Sequence, residues 1–170
     1  VTSAEIDERL APFYERTGAT KGLLESPSGI SQRRQWPEGV SFMEAAAMAG
    51  EKALASSGID RSRIGLVVDS SVCRERLEPS SAVTVHDLLR LPSTCMNFDI
   101  SNACLGFLNG IQIAGSMIEA GQIDYALVVD GEGTRQIHET TIQRLLAEDA
   151  TIVDLFENFA TLTLGSGSAA

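Results

Sequence analysis

Basic residues are in short supply in this chain: 13 Lys and Arg stand against 23 Asp and Glu, a formal net charge of −10. A nucleic-acid backbone needs a basic face to neutralise its phosphates, so this balance argues against such a partner. An acidic carrier protein would also need a local basic patch, for which Arg33, Arg34, Arg74 and Arg76 are the candidates; solvated surface arginines are the alternative. Cysteine is scarce too. Cys73, Cys95 and Cys104 have neither an even count nor metal-ligand spacing, which removes a disulfide framework and a metal centre and fits a reducing, cytoplasmic compartment. The two histidines, His86 and His138, read as ordinary helix or surface residues. No apolar run reaches the ~18 uncharged residues of a membrane span, since the stretch from Leu105 to Ala120 is too short and too rich in glycine. No charged-then-apolar signal opens the chain, and there is no internal repeat or low-complexity segment.

What is present suits a globular α/β domain. The 170 residues, 44% of them hydrophobic, can supply one core that buries about 70% of the unfolded surface. Thr2 with Glu5 and Ser41 with Glu44 have capping-box spacing, which predicts helices over TSAEIDERL and over SFMEAAAMAGEKALASSG, the second ending at Gly58. IGLVVDSS and YALVVDG are continuous apolar runs of strand length, as expected of parallel strands covered on both faces. SAVTVHDLLR, the helix after Cys104 and TIVDLFENF supply covering helices, giving alternating layers. LLESPSGISQRRQWPEG and EGTRQIHETTIQRLLAEDA read as irregular polar surface excursions.

Cys104 is the candidate nucleophile. It opens a helix in which Glu119 is the one ionisable side chain up to Ala120, and a helix without a polar face is expected to be buried on all sides. A helix N-terminus carries unpaired N–H groups and about half a positive charge, which favour a thiolate over a thiol. Gly106, Gly110 and Gly115 suggest close approach by neighbouring backbone. Cys73 and Cys95 have no comparable setting and read as core or strand thiols. Asp99 and Asn102, just before the nucleophile, read as turn-shaping residues.

NACLGF, between the strands CMNFDI and YALVVDGE, resembles the active-site region of thiolase-fold condensing enzymes of the 3-oxoacyl-(acyl carrier protein) synthase III group. GISQRRQW, with Gly29, Ile30, Arg33, Arg34 and Trp36, resembles that group's early basic and tryptophan motif, and TLTLGSGSAA its glycine-rich strand. RERLEPS around Glu78 is similar to the loop of one branch, the long-chain acyl-CoA condensing enzymes of bacterial olefin synthesis. The resemblance implies a thiolase-like half: a layered, mostly parallel sheet covered by helices, with a buried central helix. It implies that residues 1–170 form the N-terminal domain of an enzyme about twice as long, whose C-terminal half supplies a catalytic His and Asn.

The same resemblance implies the chemistry. Cys104 accepts an acyl group from acyl-CoA or an acyl carrier protein, Arg33 and Trp36 bind that donor, and no cofactor is required. In the olefin branch the glutamate crosses a homodimer to serve as base in the neighbouring site, a role that Glu78 would inherit. Removal of an α-proton by a carboxylate gives condensation without decarboxylation, whereas the His and Asn pair would serve a malonyl-type reaction of fatty-acid initiation. A half that only scaffolds a second polypeptide is the third expectation.

Overall fold

The computed structural model describes residues 1–170, which divide into two compact units, Pro37–Glu132 with Gly167–Ala170, and Val1–Trp36 with Gly133–Ser166. The first of these carries the sheet. Its elements are α3 (Phe42–Ser57), β1 (Ile64–Asp69), α4 (Ser81–Leu88), β2 (Met96–Asp99), α5 (Gly106–Glu119), β3 (Tyr125–Glu132) and β4 (Gly167–Ala169). The strand order is β2-β1-β3-β4. β1 pairs parallel with β2 and β3, while β4 runs antiparallel to β3, so the sheet is mostly parallel as its unbroken apolar strands predict.

Alternation along the central strands divides the core in two. Val67, Leu127 and Val129 face Met43, Ala46 and Leu54 of α3 and Val85 of α4, whereas Leu66, Val68 and Val128 pack with Ala114 of α5. Ile64 joins the α3 side because the register between β1 and β3 shifts between Ile64 and Leu66. Helix α3 has the expected capping box from Ser41 and Glu44 and stops at Gly58 in the left-handed conformation. A Cβ at Gly131 would lie 2.1 Å from the Phe42 carbonyl oxygen, so glycine there lets the start of α3 settle onto β3.

Helix α5 corrects one expectation. It buries a single face through Gly106, Gly110 and Ala114, which stack on β1 and β3, while Leu108 and Ile111 are 61% and 50% exposed. The sheet covers one side of the helix, and no other element of this unit covers the opposite side. Nor does every glycine serve close packing, because a Cβ at Gly115 would meet nothing within 4 Å.

The other unit consists of α1 (Ser3–Arg9), α2 (Ala11–Thr17), α6 (Arg135–Leu146) and α7 (Ile152–Thr163). Its core joins Ile6, Leu10, Phe13 and Tyr14 to Ile142, Leu145, Leu155 and Leu162. The segment read as an irregular polar excursion is instead helix α6, with His138, Thr141, Ile142 and Leu145 buried at helical spacing. Two of those four inward residues are polar, which hides the apolar stripe from a sequence pattern. Arg16 donates to the carbonyls of Leu145, Ala147, Glu148 and Ala150, satisfying oxygens where α6 ends. No helix is long and apolar enough to cross a membrane.

Candidate active site

Cys104 stands at the point where β2 turns into α5. After Asp99 the chain is held to β1 by the Ile100 N–H, which donates to the Asp69 carbonyl at 2.9 Å. A short 3-10 turn over Ala103–Leu105 follows, so Cys104 precedes the α-helix proper instead of forming its first residue. Ala103 has φ of +41°, a left-handed conformation that a side chain resists and that concentrates at functional turns. The Asn102 side-chain amide donates to Asn109 Oδ1 at 2.6 Å, pinning the turn to α5. Cys104 is exposed, and no side chain caps the amino end of α5 just beyond it. An uncapped helix end presents N–H donors towards developing negative charge.

Glu78 stands on the loop between β1 and α4, exposed to solvent beside Leu77, which is 84% exposed. Its carboxylate makes no hydrogen bond or ion pair within the chain, with Cys104 or otherwise. The loop itself is tightly held at its base. Glu132 accepts from the N–H of Val72 at 2.6 Å and of Cys73 at 3.1 Å, and Ser71 Oγ accepts from the Gly131 N–H at 2.8 Å. The Asp69 carboxylate accepts from both the N–H and the hydroxyl of Ser71. Burial pushes the Asp69 carboxyl up, with the Ser71 hydrogen bonds acting against it. Cys73 is therefore a half-buried loop residue, not a core or strand thiol, because β1 has already ended at Asp69.

Residues 98–149, which span this cysteine turn, match the family model described as 3-Oxoacyl-[acyl-carrier-protein (ACP)] synthase III. The acyl-CoA:acyl-CoA alkyltransferase of Xanthomonas campestris pv. campestris is 45% identical over 170 residues, 100% of this chain and 50% of that protein. A protein of the same description from Shewanella oneidensis is 41% identical over 100% of this chain and 48% of its own length. The chain is thus similar over its whole length to these alkyltransferases, and over residues 98–149 to the 3-oxoacyl-(acyl carrier protein) synthase III family. It spans about half the length of the curated relatives it matches. A crystal structure of Xanthomonas campestris OleA with bound lauric acid and lauroyl-CoA has a TM-score of 0.94 at 44% identity, covering 99% of this chain and 50% of that one. Solved OleA structures carry single substitutions at a glutamate, a cysteine and a histidine.

The family's basic and tryptophan segment lies in the other unit. Arg33 is only 5% exposed, so it is neither a solvated surface arginine nor part of a basic docking patch. Its Nη2 donates to Ser3 Oγ at 3.1 Å, while Nε and Nη1 have no partner in the chain. Burial lowers the pKa of this guanidinium, with the Asp7 charge acting the other way. Trp36 is half-buried, and its carbonyl accepts from Arg135 at 2.9 Å. His138 lies on a helix as expected but is fully buried, with its Nδ1 3.1 Å from Gln35 Nε2. Burial and then the Arg33 charge hold its pKa below the usual value. His86 meets the Pro92 carbonyl at 3.1 Å. Of the sequence-stated candidates, Cys104 and Glu78 fall in the unit that carries the sheet and Arg33 and Trp36 in the helical one. The carboxylates of Asp69 and Glu132 were missed. Each closes a strand whose last residue is acidic, and that is the sequence signal they offered.

Proposed function

We propose that this chain carries the acyl-accepting half of an acyltransferase that joins two acyl thioesters by non-decarboxylative Claisen condensation. Residues 1–170 form its N-terminal thiolase-like domain. The observation that carries the reading is the exposed Cys104, set behind a left-handed Ala103 at the uncapped amino end of α5. The Cys104 thiolate attacks the carbonyl of a first acyl thioester, and the tetrahedral oxyanion collapses with departure of the carrier thiolate, leaving an acyl-cysteine. The Cys104 N–H supplies one oxyanion donor, and a loop of the missing half supplies the second. Glu78 of a neighbouring subunit then takes an α-proton from a second acyl thioester. The resulting carbanion attacks the acyl-cysteine carbonyl, the Cys104 thiolate leaves, and a 3-oxoacyl thioester is released.

Several features support this reading. In the OleA structures the altered glutamate and cysteine are separated by the same number of positions as Glu78 and Cys104. The altered histidine lies so far past that cysteine that its counterpart falls beyond Ala170, in keeping with a C-terminal half that holds the His and Asn. One of these structures holds lauroyl-CoA, which favours a long-chain acyl-CoA over an acyl carrier protein as donor. Family resemblance assigns Trp36 to the donor's carrier group; the same expectation for Arg33 is dropped, because its guanidinium is buried against Ser3. The working form is a cytoplasmic homodimer, a setting that suits three cysteines outside any disulfide. The decarboxylative reaction of fatty-acid initiation is the second reading, favoured by the family model itself.

The deciding experiment replaces Glu78 in the full-length enzyme. Glu78→Gln keeps shape and loses basicity, so it should acylate Cys104 normally while condensation falls ~10²–10⁴-fold. Mixed dimers with Cys104→Ala protomers should regain activity, because one of their two sites holds both Cys104 and a neighbour's Glu78. A loss under tenfold, or condensation with a malonyl thioester as the one competent partner, would overturn the reading.

A further inference from the structure

We infer that Asp99 is a positioning residue that fixes where the Glu78 loop leaves the fold, an inference that rests on Glu78 being the base. The sequence pattern suggested only that Asp99 shapes its own turn. Its carboxylate instead reaches across to the start of α4, where Oδ2 accepts from the Ser81 N–H at 2.9 Å and Oδ1 from the Ala82 N–H at 2.8 Å. Oδ2 also lies 3.2 Å from Arg74 Nη1. Arg74 and Ser81 bracket the loop segment that carries Glu78. One carboxylate therefore holds both feet of that segment.

The anchor is itself immobile. Asp99 pairs with Asp69 at the end of the β1–β2 ladder, its side chain is 8% exposed, and the chain runs from it directly into the Cys104 turn. It also does what the local sequence of α4 does not. Ser80 makes no side-chain cap, and the buried Ser81 hydroxyl has no partner, so the first amides of α4 depend on the distant aspartate. Arg74, with a side chain 23% exposed, keeps its guanidinium against the same oxygen. An amide in place of this carboxylate would lose the charge that Arg74 faces. It would also turn an N–H₂ group either towards the Ala82 N–H or towards the Ser81 N–H and Arg74 together, so that the hold on the loop is weakened at one foot or both.

Asp99 touches no reacting atom, so its effect should pass entirely through Glu78. Displacing a catalytic group by about 1 Å costs on the order of 10²-fold. In the full-length enzyme, Asp99→Asn should acylate Cys104 within threefold of the parent, as read by mass spectrometry, while condensation kcat falls between ~10- and ~100-fold. In a Glu78→Gln background the same substitution should have no further effect, since a misplaced loop without its base has nothing left to lose. Arg74→Gln, which releases one foot without touching the strand, should reproduce a smaller loss with the same dependence on Glu78. If Asp99→Asn fails to fold, Arg74→Gln carries the same two comparisons.

Equal losses in the two backgrounds, or acylation falling together with condensation, would make Asp99 a general stability residue and overturn the inference. Unchanged condensation in Asp99→Asn beside a dead Glu78→Gln would overturn this inference alone. A Glu78→Gln enzyme that still condenses would overturn the base assignment and the inference together.

Discussion

Alanine at Gly106 and alanine at Gly115 should move the stability of one helix in opposite directions. Both residues lie in α5, where exchanging glycine for alanine in a helix interior gains about 0.8–1 kcal/mol of intrinsic propensity. At Gly115 a Cβ meets nothing within 4 Å and φ is ordinary, so most of that gain should survive. At Gly106 the Cβ would fall 2.9 Å from the Ser70 carbonyl oxygen, tighter than real Cβ contacts. Ser70 cannot give way as a flexible side chain would, because its N–H and its hydroxyl both donate to the Val129 carbonyl at 2.9 Å. Overpacking against such a site costs about 1–3 kcal/mol, and the first residue of a helix recovers little propensity in return. Gly106→Ala should therefore lose about 1–2 kcal/mol, and Gly115→Ala should gain about 0.5 kcal/mol or more. Urea unfolding of the two variants beside the parent chain, extrapolated linearly, reads both signs. A Gly106→Ala chain as stable as the parent would refute the view that Ser70 backbone limits how closely α5 and the Cys104 turn approach the sheet.

Two further outcomes follow from buried titratable groups. Cys104 should be alkylated by limiting iodoacetamide well before Cys73 and Cys95, because it is exposed while burial pushes the Cys95 thiol up to about 11; equal labelling of all three in the folded protein would contradict this. His138 is held below its ordinary value of 6.5 by burial, so between that depressed value and 6.5 the unfolded chain binds a proton that the folded chain does not. Stability should fall as pH drops through that window, and His138→Gln should flatten the fall when urea midpoints are compared from about pH 7.5 to about pH 5.

Local signals were the legible ones. The two capping boxes, the Gly58 stop and the apolar strands were readable because each depends on neighbours within one turn or on simple alternation. The position of Cys104 between a strand and a helix was equally local. Burial of Arg33 and the clamp from Asp99 to Ser81 were not, since both depend on residues brought together across long stretches of sequence. Helix α6 was hidden by His138 and Thr141, polar residues that occupy inward positions of its face. The open side of α5 shows the complementary limit. An apolar stripe tells that a face can be buried, while the covering element is specified elsewhere.

The helical unit joins two stretches far apart in the sequence, Val1–Trp36 and Gly133–Ser166, and that arrangement sets an order in time. Residues of α1 and α2 leave the ribosome before those of α6 and α7, yet Ile6, Leu10 and Phe13 find their buried partners there, roughly 130–150 residues later. At ordinary rates of synthesis the delay is about 6–30 s, long compared with the microseconds in which a helix forms. β1, β2 and β3 are all made within that interval, so three strands of the sheet can pair while the first helices still have no core to enter. Nascent chains should accordingly hold the apolar faces of α1 and α2 open to chaperones until α6 and α7 emerge.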